Sequence, residues 1–126
     1  MTDGTEIDET SIDSLSANEY DEQSNDYLEM IYDHLETLAE ERGEIEADLN
    51  LGVLQFDFPP NGLYFIHKQP LNKQIWLLSP ITGPKRYDSI NGKWTTLRDG
   101  TTLTELLEDE FGKALGVEFK FDSSEH

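Results

Sequence analysis

The chain has 126 residues, with 27 acidic residues, nine lysines and arginines and a formal net charge of −18. This length suits one domain with one hydrophobic core. The absence of cysteine excludes disulfides, zinc–thiolate sites and thiol nucleophiles. The negative charge makes nucleic acid and anionic membranes poor partners. No apolar run approaches the ~20 residues that a membrane-spanning helix needs.

The negative charge is concentrated at the front of the chain. Residues 1–50 hold 17 of the 27 acids and a single base, Arg42, whereas residues 51–126 hold ten acids and eight bases. Residues 1–15 are polar, acidic and aperiodic, which predicts a disordered acidic tail. Residues 122–126 are expected to be disordered as well. Because targeting presequences are basic, this acidic N-terminus predicts that the chain carries no transit peptide.

Amphipathic helices are predicted at both ends of the domain. Ser16 and Glu19 fit a capping box, and apolar residues at helical spacing follow, so the first helix is predicted from Ser16 to Arg42. The second helix begins with the same capping pattern at Thr102 and ends at Gly116.

Between the helices, short apolar runs alternate with turn residues. Strands are predicted over residues 51–58, 63–67, 73–79, 85–90 and 93–97. Asn91-Gly92 is the strongest hairpin signal, and the short connections favour an antiparallel meander. Residues 16–121 are therefore predicted to form an α+β two-layer sandwich, in the order α-β-β-β-β-β-α. Both helices would pack on one face of an antiparallel sheet of about five to six strands, leaving the other face open.

The first helix carries a row of acidic side chains opposite its apolar face. Their spacing alternates between three and four residues, which places all seven on one stripe, the acidic ridge: Glu19, Glu22, Asp26, Glu29, Asp33, Glu36 and Glu40. Like charges at these spacings destabilise a helix by roughly 0.2–0.5 kcal/mol per pair. No lysine is interleaved to relieve this repulsion.

Carboxylate oxygens are ligands for hard cations such as Mg²⁺, Ca²⁺, Mn²⁺ and hard iron. Neighbouring carboxylates on a helix surface cannot surround an ion, so water must fill most coordination positions. The acidic ridge therefore predicts several weak, exchangeable metal sites. The alternative interpretation is a solvated acidic face that serves solubility.

A second candidate surface lies on the predicted third strand. Alternation places Trp76 on the face opposite Ile75 and Leu77. If the latter two face the helices, Trp76 lies on the open face, where a tryptophan is typical of an interaction anchor. The alternative is that neighbouring long side chains cover it. The same patch is expected to include Lys85, Arg86, and Trp94 or Arg98.

Several segments resemble the frataxin family, in the form of its eukaryotic, mitochondrial members. The resemblance covers residues 19–116. Its motifs are Asp26-Tyr27-Leu28 in the acidic first helix, Asn72-Lys73-Gln74-Ile75-Trp76, Ser79-Pro80, Gly83-Pro84-Lys85-Arg86-Tyr87-Asp88 and Asn91-Gly92-Lys93-Trp94. One departure is His67, where the family often has asparagine.

The resemblance implies a two-layer α/β sandwich, location in the mitochondrial matrix and a role in iron–sulphur cluster assembly. It implies weak binding of ferrous and ferric iron along the first helix. The candidate metal ligands are the seven residues of the acidic ridge together with Asp21, of which the resemblance favours Asp21, Glu22, Asp26, Glu29 and Asp33.

The resemblance also implies docking on the cysteine desulfurase–scaffold complex, as iron donor and activator. The partner-face candidates are Asn72, Lys73, Gln74, Trp76 and Arg86. Ferrochelatase is a further implied partner, and iron-dependent self-association a further implied property. Two other functions remain open at this point. One is a ferroxidase that oligomerises to store iron, and the other is an acidic domain that only meets a basic partner.

Overall fold

A computed structural model describes residues 9–121, in which two helices cover one face of an antiparallel sheet. The elements in chain order are a 3-10 turn at Glu9–Ser11, α1 Ala17–Glu41, β1 Glu46–Asn50, β2 Val53–Phe58, β3 Gly62–Gln69, β4 Gln74–Ser79, β5 Gly83–Ile90, β6 Lys93–Thr95 and α2 Leu103–Leu115. Each strand pairs with the next along the chain, in the order β1-β2-β3-β4-β5-β6. The predicted two-layer sandwich is confirmed. Within the described range, no helix is long and apolar enough to cross a membrane.

Capping boxes begin both helices, as the sequence predicts. The Glu19 N–H donates to the Ser16 hydroxyl at 3.0 Å, and the Glu19 carboxylate accepts from the Ser16 N–H at 2.8 Å. Thr102 and Glu105 repeat this exchange at the start of α2. These reciprocal bonds satisfy N–H groups that have no partner inside a helix.

The core lies between the helices and the inward face of the sheet. From α1 it receives Leu28, Ile31 and Leu35, all essentially inaccessible to solvent. Phe111 of α2 lies among aromatic rings of the sheet, and its ring centroid is 4.1 Å from that of Phe58. Burying a large apolar side chain contributes about 1.5–3 kcal/mol. The helices are therefore fixed to this one face, and the opposite face of the sheet stays open.

Strand β1 is an element that the sequence analysis did not predict. It spans Glu46–Asn50 and pairs with β2 along its whole length, with Ala47 and Leu49 half-buried on one face. Leu51, predicted to begin a strand, lies instead in the β1–β2 turn with φ of 53°, followed by Gly52 with φ of 80°. Leucine is rare in this left-handed conformation, so the turn has no strong signal in the sequence.

The segment before α1 packs against the turn between β5 and β6. The Asp13 N–H donates to the Ser89 carbonyl at 2.8 Å. The Asp13 carboxylate accepts from the Ser89 hydroxyl at 2.8 Å and from the N–H groups of Asn91 and Gly92 at 3.0 and 2.9 Å. One side chain thus holds the N-terminal segment on a turn that lies far away in sequence.

This contact differs from the predicted disordered tail over residues 1–15. Asp13 is placed against the β5–β6 turn by its hydrogen bonds, and the Leu15 carbonyl accepts from the Lys73 ammonium. The remaining residues predicted to be disordered, 1–8 and 122–126, lie outside the described range. A single aspartate that binds a distant turn produces no periodic pattern, so this contact could not be predicted from the sequence.

Candidate functional site

The acidic ridge lies on the solvent side of α1. All seven of its side chains are exposed. The other side of the helix buries Tyr20, Leu28, Ile31 and Leu35 against the sheet. The predicted orientation of the helix is therefore confirmed, and the last turn of α1 contains no basic residue to offset the charge.

Tyr32 lies beside the acidic ridge on α1. Its pKa is raised above the ordinary value, first by the negative charge of Glu36, and then by slight burial and the charges of Asp48 and Asp33. A negative neighbourhood disfavours a second negative charge on the phenol. This environment attracts cations to the surface of α1.

The arrangement of the acidic ridge limits how a cation can be held there. Among residues 9–121, no three acidic or histidine side chains converge into a ready-made ligand cluster. A hard cation on α1 would contact one or two carboxylates and keep water at its other positions. The carboxylate oxygens are suitable ligands for a hard metal ion. Their spacing would leave such an ion mostly hydrated and free to exchange with solution.

Asp21, the candidate metal ligand beside the acidic ridge, forms an ion pair with Lys68 of β3. The Lys68 ammonium also donates to the Asn25 side-chain oxygen at 3.0 Å and lies 5.7 Å from the centre of the Tyr20 ring. The Lys68 side chain is only 10% exposed, whereas that of Asp21 is 64% exposed. A cation at Asp21 must therefore compete with a lysine that the sequence analysis did not connect to this helix.

Trp76 lies on the open face of the sheet, as predicted from the alternation along β4. Ile75 and Leu77 are buried beneath the helices, and Trp76 is half-exposed on the opposite side. It pairs with His67 of β3 and with Arg86 of β5, so the three side chains form a row across the sheet. The Arg86 guanidinium lies 5.0 Å from the Trp76 ring centre, and the His67 ring lies 5.7 Å from it in an edge contact.

A hydrogen-bonded row behind Trp76 was not predicted from the sequence. The indole N–H of Trp76 donates to the Gln74 side-chain oxygen at 2.7 Å. The Gln74 side-chain nitrogen in turn donates to both carboxylate oxygens of Asp88, at 3.3 and 3.2 Å. Asp88 is only 5% exposed. The three residues connect a buried carboxylate on β5 to the exposed ring on β4.

The remaining partner-face candidates lie in the β3–β4 turn at one end of this surface. Asn72 is exposed, and its backbone N–H donates to the Gln69 carbonyl at 3.2 Å. Lys73 has φ of 53°, and its ammonium donates to the Leu15 carbonyl at 2.7 Å. Gln74, Trp76 and Arg86 therefore share one strand face, whereas the other two candidates lie at its edge and one of them is engaged by the N-terminal segment.

The expected extension of this patch is formed by Arg98 rather than by Trp94. Of the two alternatives Trp94 and Arg98, Trp94 is excluded, because it is 5% exposed and makes an edge contact with Tyr20 on the helix side. Lys85 pairs with the inward-facing Leu77 and so alternates with Arg86 along β5, but it still lines the open depression beside Trp76. Arg98 does line the open depression beside Trp76. Five side chains around this depression form the partner face: His67, Gln74, Trp76, Arg86 and Arg98.

Comparison with known proteins identifies related sequences. A family model described as a frataxin-like domain matches residues 13–117. The mitochondrial frataxin homolog of Saccharomyces cerevisiae is 45% identical over 104 residues, covering 81% of this chain and 60% of that protein. Mitochondrial frataxin of Caenorhabditis elegans is 40% identical over 117 residues, covering 89% of this chain and 85% of that protein. The chain thus spans less than two thirds of the length of the yeast relative.

Solved structures with the same fold include two of yeast frataxin. Trimeric frataxin from S. cerevisiae complexed with ferrous iron has a TM-score of 0.69 and 46% identity, covering 75% of this chain and 86% of that one. A second yeast frataxin structure has a TM-score of 0.71 and 42% identity, covering 92% and 95%. The sheet and the two helices are therefore shared with these proteins.

Proposed function

Because this chain belongs to the frataxin family, we propose that it is an iron-binding protein of iron–sulphur cluster assembly in the mitochondrial matrix. The observation that carries this proposal is the separation of two surfaces. The acidic ridge is exposed on α1, whereas the partner face is on the side of the sheet that the helices leave open. One protein with two such surfaces can hold a cation and contact another protein at the same time.

The proposed cargo of the acidic ridge is iron. Its ligands are single carboxylates spaced along an exposed helix, so each ion keeps much of its water shell and exchanges readily. The ferrous complex of the similar yeast protein supports iron as the metal. Weak, exchangeable binding suits a donor, because a donor must release its cargo to the next protein.

The proposed docking site for the cysteine desulfurase–scaffold complex is the partner face, extended by Asn72 and Lys73 at its edge. Trp76 supplies a large flat ring, and Arg86 supplies a cation stacked on that ring. Tryptophan and arginine are the residues most often found at energetic centres of protein interfaces. Docking here leaves the acidic ridge accessible, so the chain acts as iron donor and activator, with ferrochelatase as a further recipient.

Paired charge variants test the iron half of the proposal. We expect Asp26→Asn with Glu29→Gln to weaken anaerobic ferrous iron binding about tenfold, which corresponds to about 1.4 kcal/mol. Amide NMR shifts on iron addition should be confined to α1. The matched control, Asp57→Asn with Glu118→Gln, removes the same charge from exposed positions elsewhere. If both pairs weaken binding equally, iron responds to net charge alone and the acidic ridge is not its site.

A single truncation tests the docking half. Trp76→Ala is expected to weaken binding to the desulfurase–scaffold complex by about tenfold or more, as truncating an anchor residue does. It should leave iron binding unchanged, because Trp76 and the acidic ridge lie on opposite sides of the molecule. Leu78→Ala on the same sheet face is the control for exposed apolar area. Equal loss of iron and partner binding in Trp76→Ala would contradict the two-surface proposal.

A second candidate function is a ferroxidase that self-associates with iron. The trimeric state of the similar yeast protein in its ferrous complex favours this candidate. In such a reaction each ferrous ion gives one electron to oxygen. Oxygen consumption per added ferrous ion, measured together with sedimentation, separates the two functions. An iron donor binds ferrous iron without catalysing oxygen uptake, whereas a ferroxidase turns over and grows in mass.

A further inference from the structure

Asp88 is the buried end of a hydrogen-bonded row that reaches the partner face at Trp76. It lies directly opposite Gln74 in the pairing of β4 with β5, and both of its oxygens face the Gln74 amide. Gln74 and Trp76 are two residues apart on β4, so their side chains lie on the same face of the strand. The row therefore runs across one strand pair and then along one strand.

The donor and acceptor groups of the three side chains allow only one orientation of the Gln74 amide. An ionised carboxylate only accepts hydrogen bonds and an indole N–H only donates, whereas an amide has one end of each kind. Asp88 thus takes the nitrogen end of the Gln74 amide and turns its oxygen toward the indole of Trp76. Reversing the amide would place two acceptors together at one end and two donors at the other.

We propose that Asp88 and Gln74 are positioning residues that fix the orientation of Trp76 for docking, an inference that rests on the proposed function. The indole N–H is already satisfied inside the row, so Trp76 meets its partner with its ring rather than as a hydrogen-bond donor. Arg86 and His67 support the same ring from either side along the strand row. A side chain held in its bound orientation loses less freedom on association.

This proposal assigns Gln74 a role different from that of a contact residue. If Gln74 touched the partner directly, its loss would weaken docking without changing the state of the indole in the free protein. If Gln74 positions Trp76, its loss changes the indole first and docking as a consequence. Asp88 separates direct contact from positioning more clearly than Gln74 does. Its side chain is only 5% exposed, so it can act on a partner only through its neighbours.

The test uses the full chain and the indole N–H signal of Trp76 in NMR spectra. Gln74→Met keeps the length of the side chain but removes the amide. We expect a shifted indole signal, faster hydrogen exchange of that N–H, and affinity for the desulfurase–scaffold complex reduced by roughly three- to tenfold. The control is Gln55→Met, the same substitution at an exposed position of β2, which should change neither quantity. Asp88→Asn keeps one acceptor and should give an intermediate shift and an intermediate loss.

Two results would overturn the proposal. One is an unchanged indole signal in Gln74→Met, and the other is a loosened indole with unchanged affinity. Trp76→Ala distinguishes failure of the orientation proposal from failure of the proposed docking function. If Trp76→Ala binds the complex normally, the docking proposal itself is wrong. The indole signal of the free protein would then still decide whether the row orients Trp76. Melting temperatures of all variants identify any loss of affinity that comes from unfolding.

Discussion

The Asp13 carboxylate accepts a hydrogen bond from the Gly92 N–H at 2.9 Å, across a separation of 79 residues in the chain. Asn91 and Gly92, the two residues between β5 and β6, both have positive φ, at 53° and 76°. Asp13 accepts from both of these groups and from the Ser89 hydroxyl. The N-terminal segment therefore completes the hydrogen bonding of the β5–β6 turn.

Removing this carboxylate should loosen both the turn and the N-terminal segment. We expect Asp13→Ala to lower the free energy of unfolding by about 1–2 kcal/mol, because charge-assisted hydrogen bonds from three donors are lost. Hydrogen exchange at the amides of Asn91 and Gly92 should become faster. Ser14→Ala, at the neighbouring exposed position, is the control and should change neither measurement.

The same contact predicts a specific response to acid. Burial alone would raise the pKa of Asp13, but hydrogen bonds from Gly92, Ser89 and Asn91 lower it below the ordinary value of 3.8. A lowered folded-state pKa stabilises the protein above the ordinary pKa, and this contribution disappears as the pH falls through the lower folded-state value. The difference in stability between Asp13→Ala and the unchanged chain, measured by chemical unfolding, should therefore be full at pH 6 and should shrink as the pH falls below 3.8. A constant difference across this range would mean that the carboxylate charge is not involved.

Local patterns were sufficient to predict the helices and the orientation of Trp76. The capping boxes at Ser16 and Thr102 and the helical spacing of apolar residues are encoded within a few positions, as is the alternation along β4. These signals act over one or two turns of helix or one strand. Because the first helix and its apolar face were predicted correctly, the exposure of the acidic ridge followed from geometry.

What could not be predicted depends on pairs that are distant in sequence. Lys68 reaches Asp21 from another element, and Asp88 reaches Trp76 through Gln74. The choice between Trp94 and Arg98 on the open face stayed open, because β6 is only three residues long, too short for alternation to decide. Pairing register, rather than local propensity, determines these contacts.

Crowded charge on the acidic ridge should make stability sensitive to salt. Each like-charged neighbour costs roughly 0.2–0.5 kcal/mol at low ionic strength, and salt screens this repulsion. We expect the melting temperature to rise by several degrees between low salt and ~0.5 M sodium chloride, and further with Mg²⁺. Glu29→Gln with Asp33→Asn should raise stability at low salt and reduce this response. The control pair Asp57→Asn with Glu118→Gln, outside α1, should keep most of the rise in melting temperature with salt. If the melting temperature of the unchanged chain does not depend on salt, the acidic ridge is not under the predicted repulsion.

Replacing Asp21 or Lys68, which form an ion pair, should lower the free energy of unfolding by different amounts. Asp21→Asn leaves a nearly buried ammonium without its carboxylate, so we expect a destabilisation of about 1–2 kcal/mol. Lys68→Met keeps an apolar stem in the same space and leaves Asp21 in water, so we expect less than about 1 kcal/mol.

Replacing Lys68 should strengthen metal binding, although it slightly lowers the free energy of unfolding. Lys68→Met frees the Asp21 carboxylate, so it should strengthen ferrous iron or Mg²⁺ binding near the start of α1 by a few-fold. Lys113→Met removes the same charge from an exposed position of α2 and serves as the control. Equal gains in both variants would mean that only net charge matters.

Tyr87 and Tyr64 are both fully buried, but their hydroxyl groups have different surroundings. Among the protein groups of residues 9–121, the Tyr87 hydroxyl has no hydrogen-bond partner, and burial is the main cause that raises its pKa. The Tyr64 hydroxyl donates to the Glu110 carboxylate at 2.7 Å and accepts from the Asn61 side-chain nitrogen at 2.9 Å. Burying a polar group without a partner costs about 1–3 kcal/mol, whereas a satisfied group stabilises the fold.

Replacing each tyrosine by phenylalanine should therefore have opposite effects on stability. We expect Tyr87→Phe to be neutral or to raise the free energy of unfolding by up to about 1 kcal/mol. Tyr64→Phe should lower it by about 1–2 kcal/mol, because the buried Glu110 loses a donor while keeping Ser79 and Thr82. Both substitutions remove one oxygen from an inaccessible ring, so each serves as the control for the other in denaturant titrations. Equal losses in the two variants would show that the Tyr87 hydroxyl is satisfied in solution.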